Sequence, residues 1–319
     1  MKKMTFILAC LMMAALSANA QISKVILQHQ GNVTMYEPAD IQTAINAAQD
    51  GDTIFLNKGD FSGFTVKKKI SVIGAGTSKT MIKGNIYIEI DYKNNLPQEL
   101  TANMLEGLNL LSSYGITVTK AVNGLKLKKC SFKTLEFNYA VKDVLIDRCD
   151  MGYSDYNYIS LTNVVSLKAK NSELSYLKGS PSSSKVDDIE FVNCYFANTN
   201  VSSTNVLANF VNSWFYSEQK YNSKCTYNYC LVRTKITDEN KDYYPGCYYT
   251  SSSLSYSESG RLAVVSNNYL GNDGTVVGPD GGTTPYTLTT TAPKILDESS
   301  AVVSTDMKAL NVNIKVTPN

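Results

Sequence analysis

"IEFVNCYF", residues 189–196, sets apolar Ile189 and Phe191 two apart around Glu190, turns at Asn193-Cys194 and resumes with Tyr195-Phe196. Such alternation marks a strand with one buried face. Aligned on Cys194, the template apolar, any, apolar, any, turn, small, any, apolar recurs along the chain. It is met by "LKLKKCSF" (125–132), "VLIDRCDM" (144–151), "LKAKNSEL" (167–174), "ANFVNSWF" (208–215), "CTYNYCLV" (225–232) and "AVVSNNYL" (263–270). The small position holds Cys130, Cys149, Ser172, Cys194, Ser213, Cys230 and Asn268, with successive gaps of 19, 23, 22, 19, 17 and 38 residues. Cys247 falls inside the last, double gap, although Asp242 spoils its first apolar position. One strand per repeat at a period near ~20 residues is the signature of a solenoid.

Parity assigns the faces, because successive side chains of a strand point to opposite sides. Leu125, Leu127, Val144, Ile146, Ile189, Phe191, Ala208 and Phe210 are therefore expected in the core. The fifth position (Lys129, Arg148, Asn171, Asn193, Asn212, Tyr229, Asn267) breaks the alternation. Its four asparagines fit a bend in the left-handed region, and stacked coils would let their amides form a ladder. Cys130, Cys149, Cys194 and Cys230 then turn inward at a tight corner and pack as small apolar groups. The pairs Cys130–Cys149 and Cys230–Cys247 would lie on adjacent coils about 4.8 Å apart, which is also within disulfide range.

The segment "ADIQTAINAAQDGDTIFLNKGDF" supplies an end cap. Asp40 stands at an N-cap position, and Ile41, Ala44, Ile45 and Ala48 line one helical face before the strand "TIFL". Such a helix covers the open end of a stack of coils that could not be stable singly. Further on, Ala75 lies twice 19 residues before Ser113. The opening "IQTAINAAQDGDTIFLNKGDFSGFTVKKKISVIGAGTSKTMIKG" resembles that of parallel β-helix proteins of the pectin-lyase-like superfamily. With the repeats, the resemblance covers about residues 35–270. It implies an all-β, right-handed parallel β-helix of about 10–11 coils with a capping helix near 40–49. It says little about activity, since this scaffold hosts lyases, hydrolases, esterases, adhesins and inert surface proteins.

The chain starts "MKKMTFILACLMMAALSANAQ", with Lys2 and Lys3 before an apolar run and Ala18-Asn19-Ala20 as a cleavage signal. Residues 1–20 thus read as a secretory leader, 21–290 as the β-helix and 291–319 as a C-terminal extension with a final strand in "ALNVNIKV" (309–316). The apolar run before Cys10 is too short for lipoprotein processing, and no other run approaches the ~18–20 residues of a membrane span. The expected location is exported: periplasmic, cell-surface or secreted. Removing Lys2 and Lys3 from 30 basic and 28 acidic residues leaves a formally neutral chain, which argues against nucleic acid. His29 is the only histidine, which excludes a His-rich zinc site.

The seventh template position faces outward and reads Ser131, Asp150, Glu173, Tyr195, Trp214, Leu231 and, after one undefined coil, Tyr269. Asp150 and Glu173 are expected about 5 Å apart on neighbouring rungs, the spacing of a retaining glycosidase pair and a pair suited to calcium. Tyr195, Trp214 and Tyr269 form an aromatic strip suited to sugar rings. A lyase of this superfamily would need a basic residue, for which Lys168 and Arg148 are the candidates. The row Lys128, Asp147, Lys170 reads better as a cross-rung charge ladder. The acidic calcium cluster and Arg-rich signature of pectate lyases, and the polygalacturonase Asp and His pattern, are missing. A sequon stands at Asn200-Val201-Ser202. The reading is therefore an exported, non-catalytic protein that contacts glycans through the aromatic strip or serves as a surface scaffold. It needs no cofactor, with calcium the one metal to consider. The alternatives are a polysaccharide lyase or glycoside hydrolase, and a purely structural or adhesive surface protein.

Overall fold

The computed structural model describes residues 23–90, 104–110, 113–152, 154, 156–197, 206–218 and 224–286, with four short strands beyond. The leader, Cys10 and the Asn200 sequon lie outside the described residues. The chain divides into two compact units.

The larger unit, Ser23–Leu288, is a parallel β-solenoid of about eight turns. Its main sheet begins with an antiparallel hairpin, Val25–His29 and Asn32–Tyr36, closed at Gln30-Gly31 with both residues at positive φ. That is the turn whose twist matches a hairpin. The hairpin strand Val25–His29 pairs with Thr53–Leu56, after which the strands run parallel. They are Ser71–Gly74, Met104–Glu106, Lys126–Lys128, Val144–Asp147, Leu167–Lys170, Ile189–Val192, Ala208–Val211 and Cys225–Asn228. Six of the seven template matches thus occupy consecutive rungs. The core residues named from parity, Leu125 through Phe210, are all buried. A second, six-stranded sheet runs from Gly59–Val66 to Tyr176–Lys178 on another side of the coil. The seventh and eighth template positions begin a third sheet.

The corner between the first and third sheets has a simple chemistry. Lys129, Arg148, Asn171, Asn193, Asn212 and Tyr229 all have φ between 47° and 54°, and Gly107 and Gly246 extend the column at 68° and 66°. Each fifth-position N–H donates to the fourth-position carbonyl of the next rung, as in Lys129 N to Asp147 O at 2.9 Å and Tyr229 N to Pro245 O at 2.9 Å. Coil spacing alone suggests a corner near Ser113; it falls at Gly107, where a glycine takes the left-handed conformation that asparagine takes further along.

The following residue makes a second file. Cys149 N donates to Ser172 Oγ (3.0 Å), Cys194 N to Ser213 Oγ (3.2 Å), Ser213 N to Cys230 Sγ (3.4 Å) and Cys230 N to Cys247 Sγ (3.2 Å). The Cys149 and Cys194 sulfurs accept in the same way from Cys130 and Ser172. From Cys130 to Cys230 each side chain also bends back to the carbonyl two residues earlier, as Cys194 does to Val192 O and Ser213 to Val211 O. The position therefore requires a small side chain able to accept a hydrogen bond, which is why Cys and Ser alternate there. All these cysteines are free thiols, and burial pushes the Cys194 thiol up to about 12. Ser213→Ala strands the buried Cys194 N–H, and a lost buried partner costs about 1–3 kcal/mol. Urea unfolding should show that loss for Ser213→Ala and a much smaller one for Ser213→Cys.

The cap helix spans Ile41–Ala47 and buries Ile41, Ala44 and Ile45, with Ala48 also buried just beyond it. Asp40 is its N-cap by position, but its carboxylate makes no capping bond; a 3₁₀ turn at Pro38–Asp40 leads in instead. At the other end Tyr244 stacks on Tyr227 with ring centroids 5.1 Å apart, continuing the internal file Phe191, Phe210, Tyr227.

The last template match does not form a coil. Residues Glu258–Ser266 are helical, with Ser257 Oγ capping Gly260 N. Asn267 is the C-cap at φ −88°, so it does not belong to the left-handed column. This accounts in part for the lower number of turns. Residues 271–282 run back along the corner column. Asn171 Nδ2 donates to the carbonyls of Pro279 (3.0 Å) and Gly281 (2.8 Å). Asn212 exchanges bonds with Asn272 and accepts from Gly278 N. The Asn171 and Asn212 amides thus hold a returning strap rather than one another. Gly282 (φ 77°) passes so close to Asn193 that an added Cβ would lie 2.3 Å from its Nδ2.

In the C-terminal extension, Lys294–Ile295 pairs antiparallel with Val316–Thr317, and Ser300–Val303 with Leu310–Asn313. The alternating segment 309–316 therefore carries one strand and the start of another.

Candidate functional site

The expected outward column is present in full register. Asn109, Ser131, Asp150, Glu173, Tyr195, Trp214, Leu231 and Tyr248 are successive partners, Tyr248 filling the coil that the sequence left undefined. Tyr269 is not on it; it lies after the strap helix with its ring 5.2 Å from that of Tyr248.

The aromatic strip does not present bare rings. Tyr195 is 3 % and Trp214 1 % exposed. The helix Glu258–Ser266 and the loop after it roof them: Val264 and Val277 join Tyr195, Trp214 and Leu231 in one buried cluster. Trp214 meets Tyr195 and Tyr256 edge-on at 5.0 and 5.8 Å. Gly278 (φ 92°) crosses the indole closely: an added Cβ would sit 3.2 Å from Cε3, on a left-handed backbone that strains any other residue. Outward residues of a bare coil have become the floor of a second core. This corrects the expectation that Tyr195, Trp214 and Tyr269 form an open sugar platform.

Asp150 and Glu173 stand on adjacent rungs beneath the end of the same strap. Asp150 accepts from Gly152 N at 2.6 Å, and burial raises its carboxyl above the usual range. Burial, with the Asp150 charge as the second cause, pushes Glu173 up to about 7. Tyr286 lies over the pair: burial first, then the Asp150 and Glu173 charges, hold its phenol protonated. Tyr256 is 6.1 Å from Tyr286 by ring centroid and donates to Asp280 Oδ1 at 2.9 Å. Arg261 grips Asp280 through two bonds of 2.6 and 3.0 Å. One protonated and one ionised carboxyl can share a site that two charges could not, which is the ground state of an acid and nucleophile pair. Among the described residues, no group of three or more His, Cys, Asp or Glu side chains comes together at the pair.

The basic candidates are committed elsewhere. Arg148 makes a bidentate pair with Asp147, at 2.9 and 3.2 Å, and Lys168 bonds Glu190 at 2.5 Å. Asp147 is buried, with Lys170 at 3.9 Å as its second partner. In the row Lys128–Asp147–Lys170 the dominant contact therefore comes from Arg148, whose left-handed backbone brings its guanidinium onto the preceding residue. Cys130, Cys149, Cys194 and Cys230 occupy the corner file already described, and Asn171, Asn193 and Asn212 the column under the strap.

An aromatic surface that the repeat template did not reach lies on the six-stranded sheet. Tyr158 and Tyr176 are direct partners on adjacent strands, half-buried, with ring centroids 5.5 Å apart. The Lys178 ammonium sits 4.7 Å from the Tyr158 centroid, and the Tyr158 hydroxyl donates to Glu136, which pushes its pKa up to about 12. Tyr156, just before the Tyr158 strand, is 75 % exposed, with the Lys133 ammonium 6.0 Å from its ring centroid. Several rungs away on the same sheet, half-exposed Tyr87 borders an open polar groove of about 280 Å³ formed with Gln42, Gly63, Phe64, Thr65 and Asn85. The signal for these tyrosines was the alternation Tyr-Ile-Ser and Tyr-Leu-Lys in three-residue strands too short to stand out alone. No helix among the described residues is long and apolar enough to cross a membrane.

Comparison with protein-family models, with curated proteins and with solved structures finds no match.

Proposed function

We propose that the protein is an exported, non-catalytic surface solenoid that holds neutral glycan chains on the outward face of its six-stranded sheet. The observation that carries this reading is the Tyr158–Tyr176 pair, two half-buried rings on neighbouring rungs, with Lys178 and Glu136 against Tyr158. Tyrosine supplies a flat apolar face and a polar edge at little entropic cost, which suits the alternating CH and OH faces of a sugar. The near-neutral charge balance favours a neutral over a strongly acidic chain.

Tyr158→Ala and Tyr176→Ala together should remove retention on an array of neutral glycans by tenfold or more, with an unchanged far-UV spectrum. Loss of retention on Tyr195→Ala alone, with the double variant unaffected, would overturn this placement. A second reading, a glycoside hydrolase using Asp150 and Glu173, is supported by the raised Glu173 carboxyl one rung from Asp150. New reducing ends released by the parent and not by Glu173→Gln would favour it. A protein that neither retains nor cleaves glycans would be a structural or adhesive scaffold.

A further inference from the structure

The file of small residues ends differently at its two termini. Cys130 and Cys149 are both fully enclosed, whereas Cys230 is enclosed and Cys247 is half-exposed at the last rung. The pairing Leu231↔Tyr248 places Cys230 and Cys247 directly across from each other. Cys247 Sγ accepts from Cys230 N at 3.2 Å and bonds Tyr227 O at 3.2 Å, while Cys230 Sγ turns to Asn228 O at 3.4 Å. Both sulfurs therefore point into the same corner. Adjacent rungs separate their Cα atoms by about 4.8 Å, inside the range a disulfide spans. Gly246, at φ 66°, forms the turn that presents Cys247 and leaves it reachable from solvent.

We propose that Cys230 and Cys247 form an oxidisable dithiol that closes to an intramolecular disulfide on reaction with a small-molecule or protein disulfide, whereas Cys130 and Cys149 stay reduced. The Cys247 thiolate attacks one sulfur of the incoming disulfide, forming a mixed disulfide and expelling one thiolate, which takes up a proton. Cys230 then gives up its proton to solvent, and its thiolate attacks the Cys247 sulfur. That expels the second thiolate. Two protein thiols are oxidised and one external disulfide is reduced to two thiols. Burial, together with contact from the neighbouring Cys247 thiol, raises Cys230 well above the ordinary thiol range, so the second step is the slow one and quickens with pH. The exported compartment proposed above would supply such oxidants, but the geometry stands without it.

The full chain is incubated with glutathione disulfide, its remaining thiols are alkylated under denaturing conditions, and its peptides are weighed. The expected result is a Cys230–Cys247 linked peptide that accumulates faster at pH 8.5 than at pH 7, with Cys130 and Cys149 recovered as alkylated thiols. Cys247→Ser keeps an acceptor for Cys230 N and is expected to fold while leaving Cys230 reduced. A glutathione adduct on Cys247 that persists, an unmodified pair, or a Cys130–Cys149 link forming as fast would each overturn the assignment.

Discussion

At pH 8 the Glu173→Gln variant is expected to be more stable than the parent by about 2–3 kcal/mol, and at pH 4 the two should coincide. The Glu173 carboxyl moves from an ordinary 4.5 to about 7 on folding, mainly through burial and then through the charge of Asp150. Each tenfold change in proton affinity corresponds to about 1.4 kcal/mol, and the remaining solvent contact of Glu173 lowers the total. The native state binds the proton more tightly than the unfolded chain, so by linkage stability falls as pH rises from 4.5 through 7 and is level above that. The groups facing Glu173 are Asp150 from the neighbouring rung and Tyr256 and Tyr286 from the strap, with Asp280 and Arg261 held behind Tyr256. Gln cannot ionise, so the decline should vanish. Urea titrations at the two pH values decide it: equal differences at pH 4 and pH 8 would show that the carboxylate is not strained by its burial.

Trp214→Ala is expected to cost about 3–5 kcal/mol, the loss that follows removal of a large enclosed ring. The indole is 1 % exposed and touches Tyr195 and Tyr256. Gly260 and Gly278 lie against the ring and carry no side chain that could swing in to refill the space. The damage should be local as well as global: hydrogen exchange in 258–282 is expected to rise by more than tenfold, while that of 125–149 follows overall stability alone. Trp214 is also the only tryptophan. Its emission therefore reports strap closure directly, and a red-shifted native spectrum would contradict the roofed position.

Much of the solenoid is legible in the sequence, because it depends on side chains at fixed spacing. The fifth-position column can be read this way: Asn171, Asn193 and Asn212 announce a left-handed bend, and Lys129, Arg148 and Tyr229 adopt it in register. The small-residue file is legible as well, although its hydrogen-bonding reason is not, since the acceptor for each N–H comes from the next rung. The failures have one physical source. "AVVSNNYL" fits the strand template at its apolar positions, yet Ser257 and Glu258 upstream are start signals for a helix, and the helix won because Trp214 and Tyr195 offered it an apolar floor. Outward parity says which residues leave the coil. It does not say whether distant chain returns to cover them, and the strap that buries the aromatic strip, residues 258–282, lies between 44 and 87 residues further along the chain. The Asp150–Glu173 adjacency follows from the register alone; the raised pKa of Glu173 depends on burial beneath the strap, which no repeat contains.

The returning strap also imposes an order of events. Its contacts with Asn171 bridge 108 and 110 residues, far beyond the one-turn separations that build the rungs. Local rungs can form as the chain emerges from synthesis, each on its predecessor, but closing so long a loop carries an entropic cost that only a finished surface offsets. The clasp should therefore be the last part to settle, and a chain ending before residue 258 would keep its rungs while leaving Tyr195 and Trp214 as a sticky flank open to self-association.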